Sequence, residues 1–82
     1  MTQDEVFTVV QKNIWDVLFH LEGQAIPIEA SLKELGANSI DRADIAVQCV
    51  EDLQIKIPMV EFAGVQNIEG LVNLLTHKVN ES

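Results

Sequence analysis

Apolar residues recur along residues 4–21 at three- and four-residue spacing: Val6, Val9 or Val10, Ile14, Val17 or Leu18, then Leu21. Gln11, Lys12, Asp16 and Glu22 occupy the other faces. This is the period of a helix with one buried side. Asp4 and Glu5 fall in its first turn, where the helix dipole favours anions, and Gly23 follows its last periodic residue as a stop signal. Trp15 either joins the buried face or shields its edge.

Residues 24–37 carry no long period. Pro27 holds Ile26 extended, so Ile26-Pro27-Ile28 reads as a loop anchored by apolar side chains. Ser31 followed by Glu34 is a capping box for a single turn that Gly36 ends, with Leu32 and Leu35 as tethers to the core. A connection this long in so short a chain points to function.

A second helix is expected over 39–53, with Asn38 as cap and Asp41 in the position of the box carboxylate. Ile55-Lys56-Ile57-Pro58 breaks the helical pattern; it alternates like a strand but has no second strand to pair with. A short turn over 59–64 ends at Gly64, and a last helix covers about 67–79 with Asn67 as cap. Ile68, Leu71, Val72, Leu74 and Leu75 form its apolar side, and Gly70 is a weak point or a close-packing site. Three main helices and one short one make an all-α bundle, and residues 1–82 are expected to form a single domain. The polar ends, 1–3 and 80–82, are expected to fray.

The second helix has two apolar stripes when plotted at 100° per residue. Ile45, Ala46, Cys49 and Leu53 cluster on one side and suit a core. Ile40, Ala43 and Val47 lie roughly opposite, on the side of Asp44 and Glu51, while Asp41, Gln48 and Asp52 fill the sector between. Apolar groups interleaved with acids have the composition of a docking face. The plainer alternative is that Ala43 and Val47 pack under the 24–37 connection. Ser39 is likewise open to two readings. It is either the N-cap itself or, with Asn38 as cap, the first helical residue with its hydroxyl in water, where helix N–H groups make a phosphate comfortable.

Charge narrows the functional classes. Thirteen Asp and Glu against five Lys and Arg give −8, a field that repels nucleic acid and anionic lipid and attracts basic protein surfaces. The N-terminus shows no basic run leading into an apolar stretch, and no apolar run approaches the length needed to span a bilayer. Cys49 has no second cysteine to pair with, which fits a reducing cytoplasm, and its place on the core face makes it structural or a wall of an internal channel. His20 and His77 have no sequence-local nucleophile, no cysteine–histidine cluster has metal-ligand spacing, and Glu22, Glu29 and Glu34 lack a calcium-loop pattern. These residues offer no machinery for an enzyme activity of the chain's own.

The run Leu35-Gly36-Ala37-Asn38-Ser39-Ile40-Asp41 resembles the attachment motif of acyl carrier proteins, glycine, any residue, aspartate, serine, leucine. The resemblance covers nearly the whole chain: first helix, long loop, second helix starting at the serine, an Ile-x-Ile-Pro segment, a short third helix and a closing fourth. It implies that Ser39 receives 4′-phosphopantetheine from coenzyme A through a separate Mg²⁺-dependent phosphopantetheinyl transferase. It also implies that Ile40, Ala43 and Val47 are apolar contacts of a recognition helix whose acids Asp41, Asp44, Glu51 and Asp52 meet basic partner patches. Asn38 departs from the motif by losing a charge and Arg42 by adding a positive one, changes expected to narrow the partner set rather than abolish loading; Ile40 in place of leucine is conservative in size, but its branching moves the contact. Gly36-Ala37-Asn38-Ser39-Ile40-Asp41-Arg42 is similar to the free-standing carriers of polyketide β-branching cassettes. That likeness implies a malonyl or acyl transferase, a ketosynthase-like decarboxylase and an HMG-CoA synthase-like enzyme as partners of a monomeric cytoplasmic carrier. A fatty-acid synthesis carrier and an unmodified acidic interaction module are the rival readings.

Overall fold

In the computed structural model, which describes residues 1–81, the chain forms α1 (Gln3–Val17), α2 (Ser39–Leu53) and α3 (Ile68–Glu81), with 3₁₀ segments at Phe19–Leu21 and Met59–Gly64. There is no strand among the described residues, and Ile55-Lys56-Ile57 is a plain connection that buries Ile57. The all-helical expectation holds, and α2 has the expected bounds.

α1 starts earlier and stops sooner than its apolar period suggested. Thr2 caps it: Glu5 N donates to Thr2 Oγ1 at 3.2 Å and Thr2 N donates to Glu5 Oε1 at 2.9 Å. That bond from the Thr2 backbone holds the Glu5 carboxyl below its ordinary pKa. The Met1 nitrogen donates to Asn80 Oδ1 at 2.9 Å and Gln3 bonds Asn73, so residues 1–3 are tied to α3 rather than frayed. At the far end α3 is helical through Glu81, and Ser82 lies outside the described residues.

The helix expected to reach residue 21 leaves α geometry at Leu18 (φ −105°, ψ 67°). Leu18 and Leu21 both pack on the core while Trp15 Nε1 donates to Gln24 O at 3.0 Å, so the chain turns back within a few residues. A tighter 3₁₀ turn makes this possible, and Gly23 completes it at φ +80°.

The core consists of Val6, Val10 and Ile14 from α1, Ile45 and Cys49 from α2, and Ile68, Leu71, Val72 and Leu75 from α3. α1 packs closely on both other helices. The 24–37 connection packs against the same core. Ile26 is buried, Leu32 and Leu35 pack on the core as tethers, and Ile26 N donates to Gln11 Oε1 of α1 at 3.1 Å. On the other side, Ala30 O accepts from Ile68 N at 2.9 Å and Ile28 O from Glu69 N at 2.8 Å. With Gly70 N on Asn67 Oδ1 at 2.8 Å, these bonds satisfy backbone donors that a helix start leaves unpaired.

Asn13 is the buried polar residue of this interior. Its Nδ2 donates to Val9 O at 3.0 Å and to Asp52 Oδ2 of α2 at 3.0 Å, with Cys49 Sγ at 3.6 Å. Position 13 lies seven residues after Val6 and three after Val10, on the apolar stripe of α1, which is the signal for its burial.

Leu75 is fully buried on α3, so Leu75→Ala should cost about 2–5 kcal/mol through lost burial and a residual cavity. The measurement is urea unfolding, with the midpoint falling at an unchanged slope. A loss below about 1 kcal/mol would contradict the core assignment.

Candidate functional site

Three local devices deliver Ser39 to the start of α2. Gly36 takes φ +96°, a conformation costly for a residue with a side chain, and turns the chain. Ala37 is buried and its N donates to Leu32 O at 3.0 Å, pinning the backbone two residues ahead of the serine. Asn38 then caps the helix: Asp41 N donates to Asn38 Oδ1 at 2.8 Å and Asn38 N donates to Asp41 Oδ2 at 3.3 Å. Of the two readings of Ser39, the structure selects the second. Ser39 is the first helical residue and is exposed.

Among the described residues, the Ser39 hydroxyl has one side-chain partner. Arg42 Nη2 donates to Ser39 Oγ at 3.2 Å, and Arg42 Nε approaches Asn38 O at 3.4 Å. A guanidinium can donate but cannot take a proton. The hydroxyl therefore needs a base from elsewhere to become a nucleophile. The i, i+3 spacing of Ser39 and Arg42 is a helical contact spacing, and this pairing went unread in the sequence although that signal was available.

Beside Ser39 a cavity of about 290 Å³ lies between α2 and the 59–64 segment. Its walls come from Arg42, Ala43 and Ala46 on α2, Met59, Phe62 and Ala63 on the short segment, and Leu32, Val65 and Leu71 around them. Ala43, expected on the outward stripe, is half-buried in this wall.

The outward stripe is otherwise present. Ile40 is 72% exposed and Val47 43%, so Val47 does not pack under the 24–37 connection. Asp44 and Glu51 are exposed with them, and Asp41 is half-buried by its capping role. Asp52 is tied to Asn13 of α1 and stands about 20 Å along the helix from Ser39 at 1.5 Å per residue. The exposed apolar surface also includes Met59 and Val60, which the sequence reading missed because a six-residue segment has no period to reveal its faces.

Cys49 lines no part of this cavity. It is fully buried, and burial pushes its thiol from 9.0 up to about 12; Asn13's hydrogen bond opposes that rise and the nearby Asp52 charge adds to it. The folded chain keeps this proton where the unfolded chain loses it. The resulting stability is complete below pH 9.0 and declines as pH rises toward about 12. A disulfide reagent near neutral pH should label Cys49 slowly in native protein and fast in denaturant; equal rates would show the thiol to be accessible in the fold.

Comparison with known proteins places these features in a group. Residues 12–75 match the family described as "Phosphopantetheine attachment site". "Polyketide biosynthesis acyl-carrier-protein AcpK" of Bacillus subtilis is 43% identical over 82 residues, covering all of both chains. The "Acyl carrier protein" of Petrotoga mobilis is 30% identical over 81 residues, 98% of this chain and 94% of that protein. Among solved structures, a chain from the "Crystal Structure of the Curacin Biosynthetic Pathway HMG Synthase in Complex with Acetyl Donor-ACP" superposes with a TM-score of 0.89. That chain is 35% identical, and the match covers 95% of this chain and 100% of the other.

Proposed function

The chain belongs to the phosphopantetheine-attachment family of acyl carrier proteins, and from that premise we propose that Ser39 is its attachment residue and that its cargo serves polyketide β-branching. Proteins of this family carry 4′-phosphopantetheine covalently. One observation supports the attachment assignment above others: Ser39 is exposed at the first position of α2, beside the cavity, with a hydroxyl engaged only by Arg42 among the described residues.

On this reading residues 1–82 are one carrier domain. When bound, the group supplies a thiol at the end of a long arm, on which an acyl unit rides as a thioester. Ser39 Oγ forms the bond to phosphorus as the bond to adenosine 3′,5′-bisphosphate breaks. The hydroxyl proton leaves to a base of the phosphopantetheinyl transferase, which also brings Mg²⁺. The chain itself orients the serine, through the Gly36 turn and the Asn38–Asp41 box, and presents the surface that partners recognise.

That surface consists of Ile40 and Val47 as apolar contacts, with Asp41, Asp44 and Glu51 around them and Asn38, Arg42 and Ala43 at the serine end. Acids around a small apolar patch favour fast, salt-sensitive and transient association with basic partners. Asp52, bonded to Asn13, contributes at most at the remote end.

The β-branching assignment draws on the similarity to a polyketide carrier and to an acetyl donor carrier bound to an HMG synthase. The partners are then a malonyl or acyl transferase, a ketosynthase-like decarboxylase that turns the malonyl into an acetyl group, and an HMG-CoA synthase-like acceptor, all in the cytoplasm. A fatty-acid synthesis role has the lower-identity Petrotoga mobilis carrier in its favour.

Incubation with coenzyme A, Mg²⁺ and a broad-specificity transferase should add one phosphopantetheine to the intact mass, and Ser39→Ala should abolish the gain. Loading that persists in the variant would refute the serine assignment. For the docking surface, Ile40→Asp with Val47→Asp should weaken binding to an HMG-CoA synthase-like enzyme about tenfold or more without lowering the urea midpoint. Unchanged affinity, measured by calorimetry on the loaded protein, would place the docking surface elsewhere.

A further inference from the structure

Arg42 is the one cation among the fifteen residues of α2, whose other charged groups are Asp41, Asp44, Glu51 and Asp52. It forms no ion pair with any described residue. Instead it donates to the uncharged Ser39 hydroxyl at 3.2 Å and lies near the Asn38 carbonyl at 3.4 Å. Nearby Asp41 is occupied by the capping box. A guanidinium carries five N–H donors in a planar fork, so this arrangement leaves three unused.

Esterification of Ser39 changes what stands in front of that fork. The bridging oxygen becomes a poorer acceptor, while two non-bridging oxygens sharing one negative charge appear two bonds beyond it, on the phosphorus. Arg42 Nη2 is already within hydrogen-bond distance of the bridging atom. A change of rotamer brings the remaining donors to the new oxygens, and guanidinium–phosphate pairs are among the stronger hydrogen-bonded contacts because both groups are charged. The local charge agrees. Asn38 omits the anion that the family motif has beside the serine, and Arg42 adds a cation on the next turn.

We propose that Arg42 is a positioning residue for the phosphodiester: on modification its guanidinium moves from the Ser39 hydroxyl to the non-bridging oxygens and holds the root of the arm at the cavity mouth. Ser39 and Arg42 both line that cavity, so a phosphate held between them starts the arm over its opening. The inference rests on the assignment of Ser39 as attachment residue.

The test uses loaded protein whose mass confirms one phosphopantetheine; a failure to load counts against the Ser39 assignment and leaves Arg42 out of account. Wild type, Arg42→Ala and Arg42→Lys are compared by ³¹P NMR, and Arg42 Nε–H exchange with water is compared in unmodified and loaded wild type. Loading should slow that exchange about two- to fivefold, the range of an exposed charge pair, and added salt should reduce the effect. The ³¹P resonance should shift in Arg42→Ala and lie between the two in Arg42→Lys, while amide signals away from the start of α2 stay in place. Identical ³¹P resonances in all three proteins, with Nε–H exchange unaffected by loading, overturn the proposal. That holds even if Arg42→Ala weakens a partner complex, because Arg42 is then a docking contact only.

Discussion

The closest helix contacts in this bundle run through α1, which packs on both α2 and α3. All three helices supply side chains to one hydrophobic core. What occupies the remaining space is chain without long-range period: the 24–37 connection and the 59–64 segment. The connection holds to α1 through Gln11 and to the start of α3 through two carbonyls, so it is a structural member of the bundle. Its length therefore has a mechanical reason.

The consequence for α2 is that it buries only part of its circumference. Ile45, Ala46 and Cys49 face α1 and the core. The cavity takes the sector of Ser39, Ala43 and Ala46 because the 59–64 segment covers it loosely compared with a packed helix. Ile40 then remains largely in solvent, and Val47 remains partly exposed. At about 25 cal/mol per Å² of apolar area, covering them would help a small domain, so their exposure is a cost to stability, one that the docking surface proposed above would account for.

What was legible in the sequence was largely what is decided within four residues. The boxes at Ser31–Glu34 and Asn38–Asp41 and the cap at Asn67 form as their spacing implies, because cap and capped N–H belong to the same turn. The bounds of α2 follow from that chemistry at one end and from the left-handed Gln54 at the other. The early stop of α1 could not be read this way, since it depends on Trp15 reaching the Gln24 carbonyl across the turn. The ordered 1–3 segment depends on Asn73 and Asn80, some seventy and more residues away. Asn13 occupied an apolar position in plain view, but only its bond to Asp52 explains why a polar residue belongs there. Of the site, Ser39 was readable from motif and cap; the cavity wall needed the 59–64 segment folded in place.

Asp52 and Arg42 show why charge along α2 should not be treated as one acidic surface. Asp52 faces Asn13 and joins two helices, so part of its interaction is directed into the fold. Arg42 faces the serine, with Asn38 uncharged before it, so the start of the helix is its least anionic part although the chain carries −8. Long-range attraction of basic partners comes from the sum of charges and is screened within about 8 Å at physiological salt. Chemistry at Ser39 responds to groups inside that distance. On the proposed reading the two requirements are separable along one helix: net negative charge to gather partners, and a locally neutral or positive first turn where the phosphodiester would be attached.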